Sequence, residues 1–409
     1  MKTKEKEPKK QSEPAEETAL VEVEQKSPQD YIVELVKKAR AASNKLATLS
    51  TVVKDQALTA MAEGLEARTD ELLAANEKDI EAFEKAKGST AMADRLKLTP
   101  ERIKEMADGI RQIVKLPDPL GEAPKMWRRP NGMQVGKIRV PIGVIGIIYE
   151  SRPNVTADSA ALCLKSGNVC ILRGGSEAIH SNQALAAILS DAAEKAGVPA
   201  GAITFVERTE RDVVHALLKQ DKYVDLIIPR GGESLMNTVT EQSTIPVIKH
   251  DKGVCHIYVD ADADPAMAEK ICINAKAQRP ATCNAMETLL VHADAAPAFL
   301  PAVGARFRTA GVELRGCPRT CELLPGTRPA TAADWDTEYL DLILSVRVVP
   351  SLDEAIEHIR RHGSGVAEAI VTRDYLTARR FVAEVDAGCV LVNASTRLVD
   401  GQQFGMGAE

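Results

Sequence analysis

The chain has 409 residues, of which 44% are hydrophobic and 27% charged, with a net charge of −6. That length supports two or three domains with sizeable cores, and the balance is that of a soluble globular protein. An acidic surplus with only 3% aromatic residues excludes a basic, ring-lined nucleic-acid surface and leaves small molecules as the expected ligands. The eight cysteines include no C-x2-C pair and read as free thiols of a reducing compartment. Neither Cys317 with Cys321 nor His250 with Cys255 and His256 has zinc-ligand spacing backed by a second matching pair, so no metal is expected. No apolar run reaches transmembrane length and no signal-peptide core is present, which predicts a cytoplasmic protein without a membrane partner.

Residues 1–26 mix Lys and Glu with Pro and offer almost no large apolar side chains, so a disordered tail is predicted there; its acidic residues are unlike those of an organelle transit peptide. Order is predicted to begin at Ser27 and Pro28, a cap and a first-turn proline, followed by Ile32, Leu35, Val36 and Ala39 at helical spacing. Further helices run to Leu116. The last begins at Thr99 and Pro100 and places Ile103, Met106, Ile110 and Ile113 on one face. After the break LPDPLGEAP, the stretch MWRRPNGMQVGKIRVPIG alternates about Pro130, Asn131 and Gly132 and reads as a β-hairpin. From Val144, short apolar strands (VIGIIYE, VCILR, AITFV, VDLIIP, PVIK) alternate with amphipathic helices, the pattern of a parallel doubly wound sheet. A second α/β region starts near Ala261 with the helix DPAMAEKICINAKAQ and continues through ETLLVH, LILSVRVV and EAIVT. GCVLVN, residues 388–393, is predicted to be one more strand.

Two strands end alike, in ILRGGSE (Arg173, Gly174, Gly175, Ser176) and IPRGGES (Arg230, Gly231, Gly232). Glycines there let backbone N–H groups approach a ligand, the helix start favours negative charge, and the arginine adds a fork of donors. Two such junctions on neighbouring strands suit a nucleotide, although G-x-G-x-x-G is absent; the competing reading is a pair of tight strand-to-helix turns with solvated arginines. In QRPATCNAMETLLVH, Cys283 stands between a proline-containing turn and a strand-like run. Arg279, four residues earlier, favours the thiolate, and Thr282 and Asn284 bring polar contacts. Most buried thiols do no chemistry, so the nucleophile reading needs a site around it.

PIGVIGIIYESRPNVTADSAALCLKSGN, ILRGGSEAIHSN, LIIPRGG, NAKAQRPATCNAMETLLVH, EYLDLILSVRVV, GSG, EAIVT and VNASTRLVDGQQFGMGAE, in that order, resemble the γ-glutamyl phosphate reductases, a family of the aldehyde dehydrogenase superfamily. The likeness covers essentially Ser27 to Glu409. It implies an α/β fold of two doubly wound domains, cofactor and catalytic, with a small β oligomerisation flap. By that likeness residues 27–117 and 141–260 form the NADP-binding domain and 261–385 the catalytic domain. Residues 118–140 and the C-terminal strand within 386–409 form the flap. The implied activity is NADPH-dependent reduction of L-glutamyl 5-phosphate to glutamate 5-semialdehyde and phosphate, the second step of proline biosynthesis. The implied partners are a second copy of the chain and a glutamate 5-kinase handing over its product.

The resemblance gives Cys283 the place of the nucleophile and Asn154 that of the amide completing an oxyanion hole. It puts Glu338 at the nicotinamide ribose, Arg173 and Ser176 at the adenosine ribose where Arg173 favours a 2′-phosphate, and Gly231 and Gly232 near the pyrophosphate. Arg152 and the segment Asn393, Ser395, Thr396 and Arg397 fall at the substrate mouth, with interdomain salt bridge or capped turn as the alternative roles. Hydrolytic relatives carry a general-base glutamate where this chain reads PVIKHDKGVCHIYVD, which fits phosphate rather than water as the partner of the thioester; His250 is a second acid–base candidate, more simply read as structural. Val366 replaces the histidine that usually follows the family's Gly-Ser-Gly. The family also continues for about a strand beyond FGMGAE, so an unfinished flap is expected. An acylating aldehyde dehydrogenase using coenzyme A and a non-catalytic relative remain the competing readings.

Overall fold

The computed structural model describes residues 26–86, 93, 95–150, 152–249, 252–401 and 403–405. The predicted tail before Lys26 and the candidate His250 lie outside these.

The chain opens with helices α1 (Pro28–Leu46), α2 (Thr51–Ala67), α3 (Thr69–Lys85) and α4 (Pro100–Lys115). Their starts follow the sequence signals. Ser27 accepts the Asp30 N–H and Thr99 the Arg102 N–H, and each cap is followed by a proline whose missing N–H costs nothing in the first turn. Next comes a hairpin of β1 (Lys125–Arg128) and β2 (Gln134–Lys137), with Trp127 opposite Val135. Gly132 makes its turn at φ +87°, a value that glycine adopts without Cβ strain.

The first α/β unit contains β3 (Val144–Tyr149), α5 (Asn154–Lys165), β4 (Val169–Arg173), α6 (Ile179–Lys195), β5 (Ile203–Phe205), α7 (Arg211–Leu217), β6 (Leu226–Arg230) and α8 (Glu233–Gln242). Its strands form a parallel sheet in the order β5-β4-β3-β6. The opening helices and this sheet share one core, from Ile32, Leu58 and Ile110 to Ile147, Leu172 and Ile227. The strand expected at Pro246–Lys249 is reduced to a single bridge from Val247 to Ile227.

The second unit contains β7 (Cys255–Val259), α9 (Pro265–Ala277), β8 (Met286–His292), α10 (Ala296–Thr309), β9 (Glu313–Gly316), α11 (Pro318–Leu323), β10 (Arg328–Pro329), β11 (Ile343–Val349), α12 (Leu352–His362), β12 (Ala367–Val371), α13 (Tyr375–Glu384) and β13 (Cys389–Val392). All seven strands are parallel, in the order β10-β9-β11-β8-β7-β12-β13. A core around Ile257, Leu289, Phe299 and Phe307 fills one face, and a smaller one around Tyr258, Ile356 and Phe381 fills the other.

Two expected boundaries move. Cys255–Val259 was placed with the first unit, but it pairs with β8 and β12 at the heart of the second sheet, so the crossover falls near Val247–Gly253. The C-terminal strand was placed in the flap, but Cys389–Val392 pairs with β12 as an edge of the seven-stranded sheet. Both errors have one cause: apolar strands of a parallel sheet look alike in sequence, and partner choice is made by packing. The hairpin pairs with no third strand among the described residues.

Candidate active site

Cys283 sits in the turn that carries α9 into β8, and its side chain is exposed. Two local bonds shape the turn: Thr282 Oγ1 donates to the Arg279 carbonyl at 2.9 Å, and the Ala285 N–H to the Thr282 carbonyl at 2.9 Å. The turn is also held from below. Cys255, the first residue of β7, donates its thiol to the Cys283 carbonyl at 3.3 Å. Gly253 lies so close that an added Cβ would stand 2.0 Å from that carbonyl oxygen and 2.7 Å from the Cys283 Cα. Only a residue without a side chain fits under the thiol-bearing turn. The chain pattern gave no warning of this, because Gly253 and Cys283 are thirty residues apart.

Facing the thiol is the junction between β3 and α5. Arg152 is within electrostatic reach of Cys283, Arg95, Arg230 and Arg279; partial burial lowers its guanidinium first, Arg95 and Arg230 add to that, and Cys283 opposes them. Among the described residues none of these four arginines forms an ion pair with a carboxylate. Clustered cations without counter-charges repel one another, so such a group is suited to an anionic ligand. Asn154, the first residue of α5, is exposed beside them. Its amide donates one hydrogen to Asp158 Oδ2 at 3.2 Å, which leaves its second hydrogen for an oxyanion. The carboxylates nearest Cys255 are engaged elsewhere: Glu368 with His256 at 3.0 Å and Glu287 with Lys276 at 2.6 Å, all four side chains buried.

The two Arg-Gly-Gly junctions are at the carboxyl ends of β4 and β6, but β3 stands between them, so they are not on neighbouring strands as expected. Glu150, the residue after β3, occupies the gap. Its Oε2 accepts the Gly232 N–H at 2.8 Å, at the start of α8, and its carboxylate packs against Gly231. Glu177 covers Gly175 in the same way. Arg173 donates to the Thr209 carbonyl at 3.0 Å while its Nε is buried without a partner. Burial lowers its guanidinium, and Glu177 and Glu150 pull the other way. Gly174 is packed against the Asn182 amide, and Ser176 is exposed at the start of a 3-10 turn, Ser176–Ala178. The orphaned Nε of Arg173, exposed Ser176 and exposed Gly232 at a helix start fit an anionic dinucleotide along this sheet edge. Glu338 is half-buried in the loop before β11, within electrostatic reach of Lys276 and Glu287.

The five residues expected at the substrate mouth divide. Arg152 is within electrostatic reach of the thiol, and Arg397 Nη1 donates to Oδ1 of Asn284, the residue after Cys283. Asn393 turns the chain with φ +55°, and its amide closes two bonds to the Thr372 backbone, at 3.0 and 2.9 Å. Ser395 caps the turn Thr396–Leu398, and at 7% and 0% exposure Ser395 and Thr396 support the site rather than face a ligand.

An exposed cysteine on one parallel α/β unit, opposed by a second unit whose strand ends carry Arg-Gly-Gly, is the plan of a dinucleotide-linked, thiol-dependent oxidoreductase. The aldehyde dehydrogenase family model matches residues 1–318, and the chain belongs to that family. It is 56% identical over 91% of its length to the gamma-glutamyl phosphate reductase of Heliobacterium modesticaldum, covering 89% of that protein. It is 57% identical to the enzyme of that name from Geobacter metallireducens, with the same coverage of each chain. Among solved structures, the Thermotoga maritima gamma-glutamyl phosphate reductase superposes with a TM-score of 0.90 at 46% identity, covering 92% of this chain and 91% of that one. An acetylating aldehyde dehydrogenase from Geobacillus thermoglucosidasius, 19% identical with a TM-score of 0.63 and coverage of 91% and 87%, shares the fold.

Proposed function

We propose that the chain reduces L-glutamyl 5-phosphate to L-glutamate 5-semialdehyde and phosphate with NADPH, the second step of proline biosynthesis. The observation that carries this reading is the exposed Cys283 thiol within electrostatic reach of Arg152, about which Arg95, Arg230 and Arg279 gather as cations suited to a substrate with a phosphate and a carboxylate. The names of relatives 54–57% identical to the chain agree with it.

In the proposed cycle the Cys283 sulfur, as thiolate, attacks the acyl carbon. The new C–S bond forms as negative charge builds on the carbonyl oxygen. The free amide hydrogen of Asn154 and the Cys283 backbone N–H receive that charge, and the C–O bond to phosphate then breaks to leave a thioester. The arginines neutralise the departing phosphate, which takes one proton from solvent as it leaves and so ends as the dianion. The chemistry that the bound nicotinamide supplies is hydride transfer. Arg173 and Ser176 would hold the adenosine end, with the Arg173 fork on a 2′-phosphate, Gly231 and Gly232 would lie along the pyrophosphate, and Glu338 would bind the nicotinamide ribose. Glu287 and Glu368, buried and paired, are not free to activate water against the thioester. When the tetrahedral adduct collapses, the C–S bond breaks, the aldehyde leaves and the thiolate returns.

Exposed apolar side chains on and after the hairpin, Met126 at 67% and Val140 at 68% with Ile138 and Ile142, support self-association through this face. No helix among the described residues is long and apolar enough to cross a membrane, in keeping with a proposed cytoplasmic location.

The test runs the reaction backwards. Purified chain given glutamate 5-semialdehyde should reduce NADP only when inorganic phosphate is present, and Cys283→Ala should abolish that activity. Phosphate-independent or coenzyme A-dependent turnover would replace this reading with a hydrolytic or acylating one, and NADP binding without turnover would mark a non-catalytic relative.

A further inference from the structure

The most deeply buried ion pair of the second unit lies outside the chemistry described above. Lys276, in the last turn of α9, meets Glu287, near the start of β8, with Nζ and Oε2 2.6 Å apart and both side chains 0% exposed. Burial pushes the Glu287 carboxyl up to about 7, against the lowering effect of Lys276, and it lowers the Lys276 ammonium. Two charges removed from water at such cost add little to stability over a well-packed apolar pair. Their retention calls for something that apolar side chains would not do.

The second oxygen of Glu287 supplies that role. Oε1 accepts the backbone N–H of Leu340 at 3.4 Å. Leu340 has φ +53°, a left-handed conformation that a branched side chain adopts only when its surroundings hold it there. The residue before it is fixed as well. Lys276 Nζ lies 5.9 Å from the Tyr339 ring, the Arg315 guanidinium lies 5.0 Å from it on another approach, and the Tyr339 hydroxyl donates to Asp334 Oδ1 at 2.8 Å. Glu338 completes the segment, its carboxylate within electrostatic reach of both Lys276 and Glu287. The Cys283 turn has supports of its own in Thr282, Cys255 and Gly253. The loop at 338–340 takes its backbone anchor from Glu287.

We propose that Lys276 and Glu287 are positioning residues for the dinucleotide: by holding Leu340 in its left-handed turn they aim Glu338 at the nicotinamide end of the cofactor and set it in register with Cys283. The inference rests on the reading of Glu338 given under the proposed function. Ammonium and carboxylate are needed together because one carboxylate must be charged to hold both a buried lysine and a peptide N–H.

Two variants test it, Glu287→Gln, which keeps an acceptor but removes the charge, and the double variant Lys276→Met with Glu287→Met, which removes both charges and leaves neither orphaned. Hydrogen exchange measured by mass spectrometry without cofactor reads the loop, NADPH fluorescence titration reads binding, and iodoacetamide alkylation reads Cys283. The expected result is lost protection at residues 338–342, a rise of about tenfold or more in the NADPH dissociation constant, and a Cys283 alkylation rate within about twofold of the parent. Unchanged protection in both variants overturns the proposal, as does an alkylation rate that falls in step with binding, which would make the pair general core support. Protection lost with NADPH binding unchanged also overturns it. Glu338→Ala then separates the causes: if it too leaves binding unchanged, the reading of Glu338 has failed, and if it weakens binding, the link from the pair to Glu338 has.

Discussion

At the scale of single residues, the site depends on how little room there is around one turn. Gly253→Ala would put a methyl group 2.0 Å from the Cys283 carbonyl oxygen, and backbone on both sides has nowhere to go. Activity is expected to fall by roughly 10²-fold or more, since displacement of a reacting atom by about 1 Å costs that much, while circular dichroism still reports a folded chain. A variant with parental kcat would show that the turn moves freely. Asn154→Ala removes the amide hydrogen left over from Asp158 and should slow turnover by roughly 10²-fold, chiefly in kcat, as loss of an oxyanion donor does. Cys283 and Asn154 stand out as candidates because each lies in a distinctive local string that the family resemblance covers. Gly253, Cys255 and the Lys276–Glu287 pair were not, since their partners come from other elements and no periodicity records the meeting.

At the scale of elements, the helix starts were the most legible feature, because cap, proline and first turn are neighbours in sequence. The pairing of strands was not. β13 reads correctly as an apolar strand, whereas β7 was not read as one, and both belong to a sheet that only packing identifies. Between β7, β11, β12 and α12 lies a buried polar layer. His256 bonds Glu368 through Nδ1, and His358 Nδ1, 2.9 Å from Arg347 Nη1, accepts its hydrogen while Glu354 holds Arg347 from the other side. The His256 ring lies edge-on to His358 at 5.4 Å, and His362 lies 4.6 Å away. Burial first, then the charges of His256, Arg347 and His362, push the His358 imidazole down to about 2. A histidine lowered in the fold stays neutral there while its unfolded counterpart takes up a proton, so its stabilising share is complete above about pH 6.5 and is lost as the pH falls below it. Urea unfolding at pH 7.5 and pH 5 should therefore show a loss of stability on acidification that His358→Gln, which keeps an acceptor, makes smaller. An equal loss in both chains would assign the acid sensitivity elsewhere. The hairpin makes a separate prediction. Ile138→Lys with Val140→Lys places charge on its exposed apolar side chains and should shift light scattering towards a smaller species if this face joins two copies.

At the scale of the whole molecule, two parallel sheets divide the work. The first carries the two Arg-Gly-Gly strand ends and the β3–α5 junction, and the second carries the Cys283 turn and, separately, the Glu338 loop with its buried Lys276–Glu287 pair. The sequence by itself determined the α/β class, the helix starts, the hairpin and the family, and singled out Cys283 as the candidate nucleophile, because these rest on short strings, local periodicity and ordered motifs. The tertiary structure alone decided that β3 stands between the two Arg-Gly-Gly ends, that Glu150 and Glu177 lie over their glycines, that Ser395 and Thr396 are buried, and that Arg152 meets three other arginines and the Cys283 thiol. The reason is physical. Local conformation follows from backbone sterics and capping between near neighbours, whereas burial, close approach and the summed field of distant charges exist only once the chain has brought those residues together.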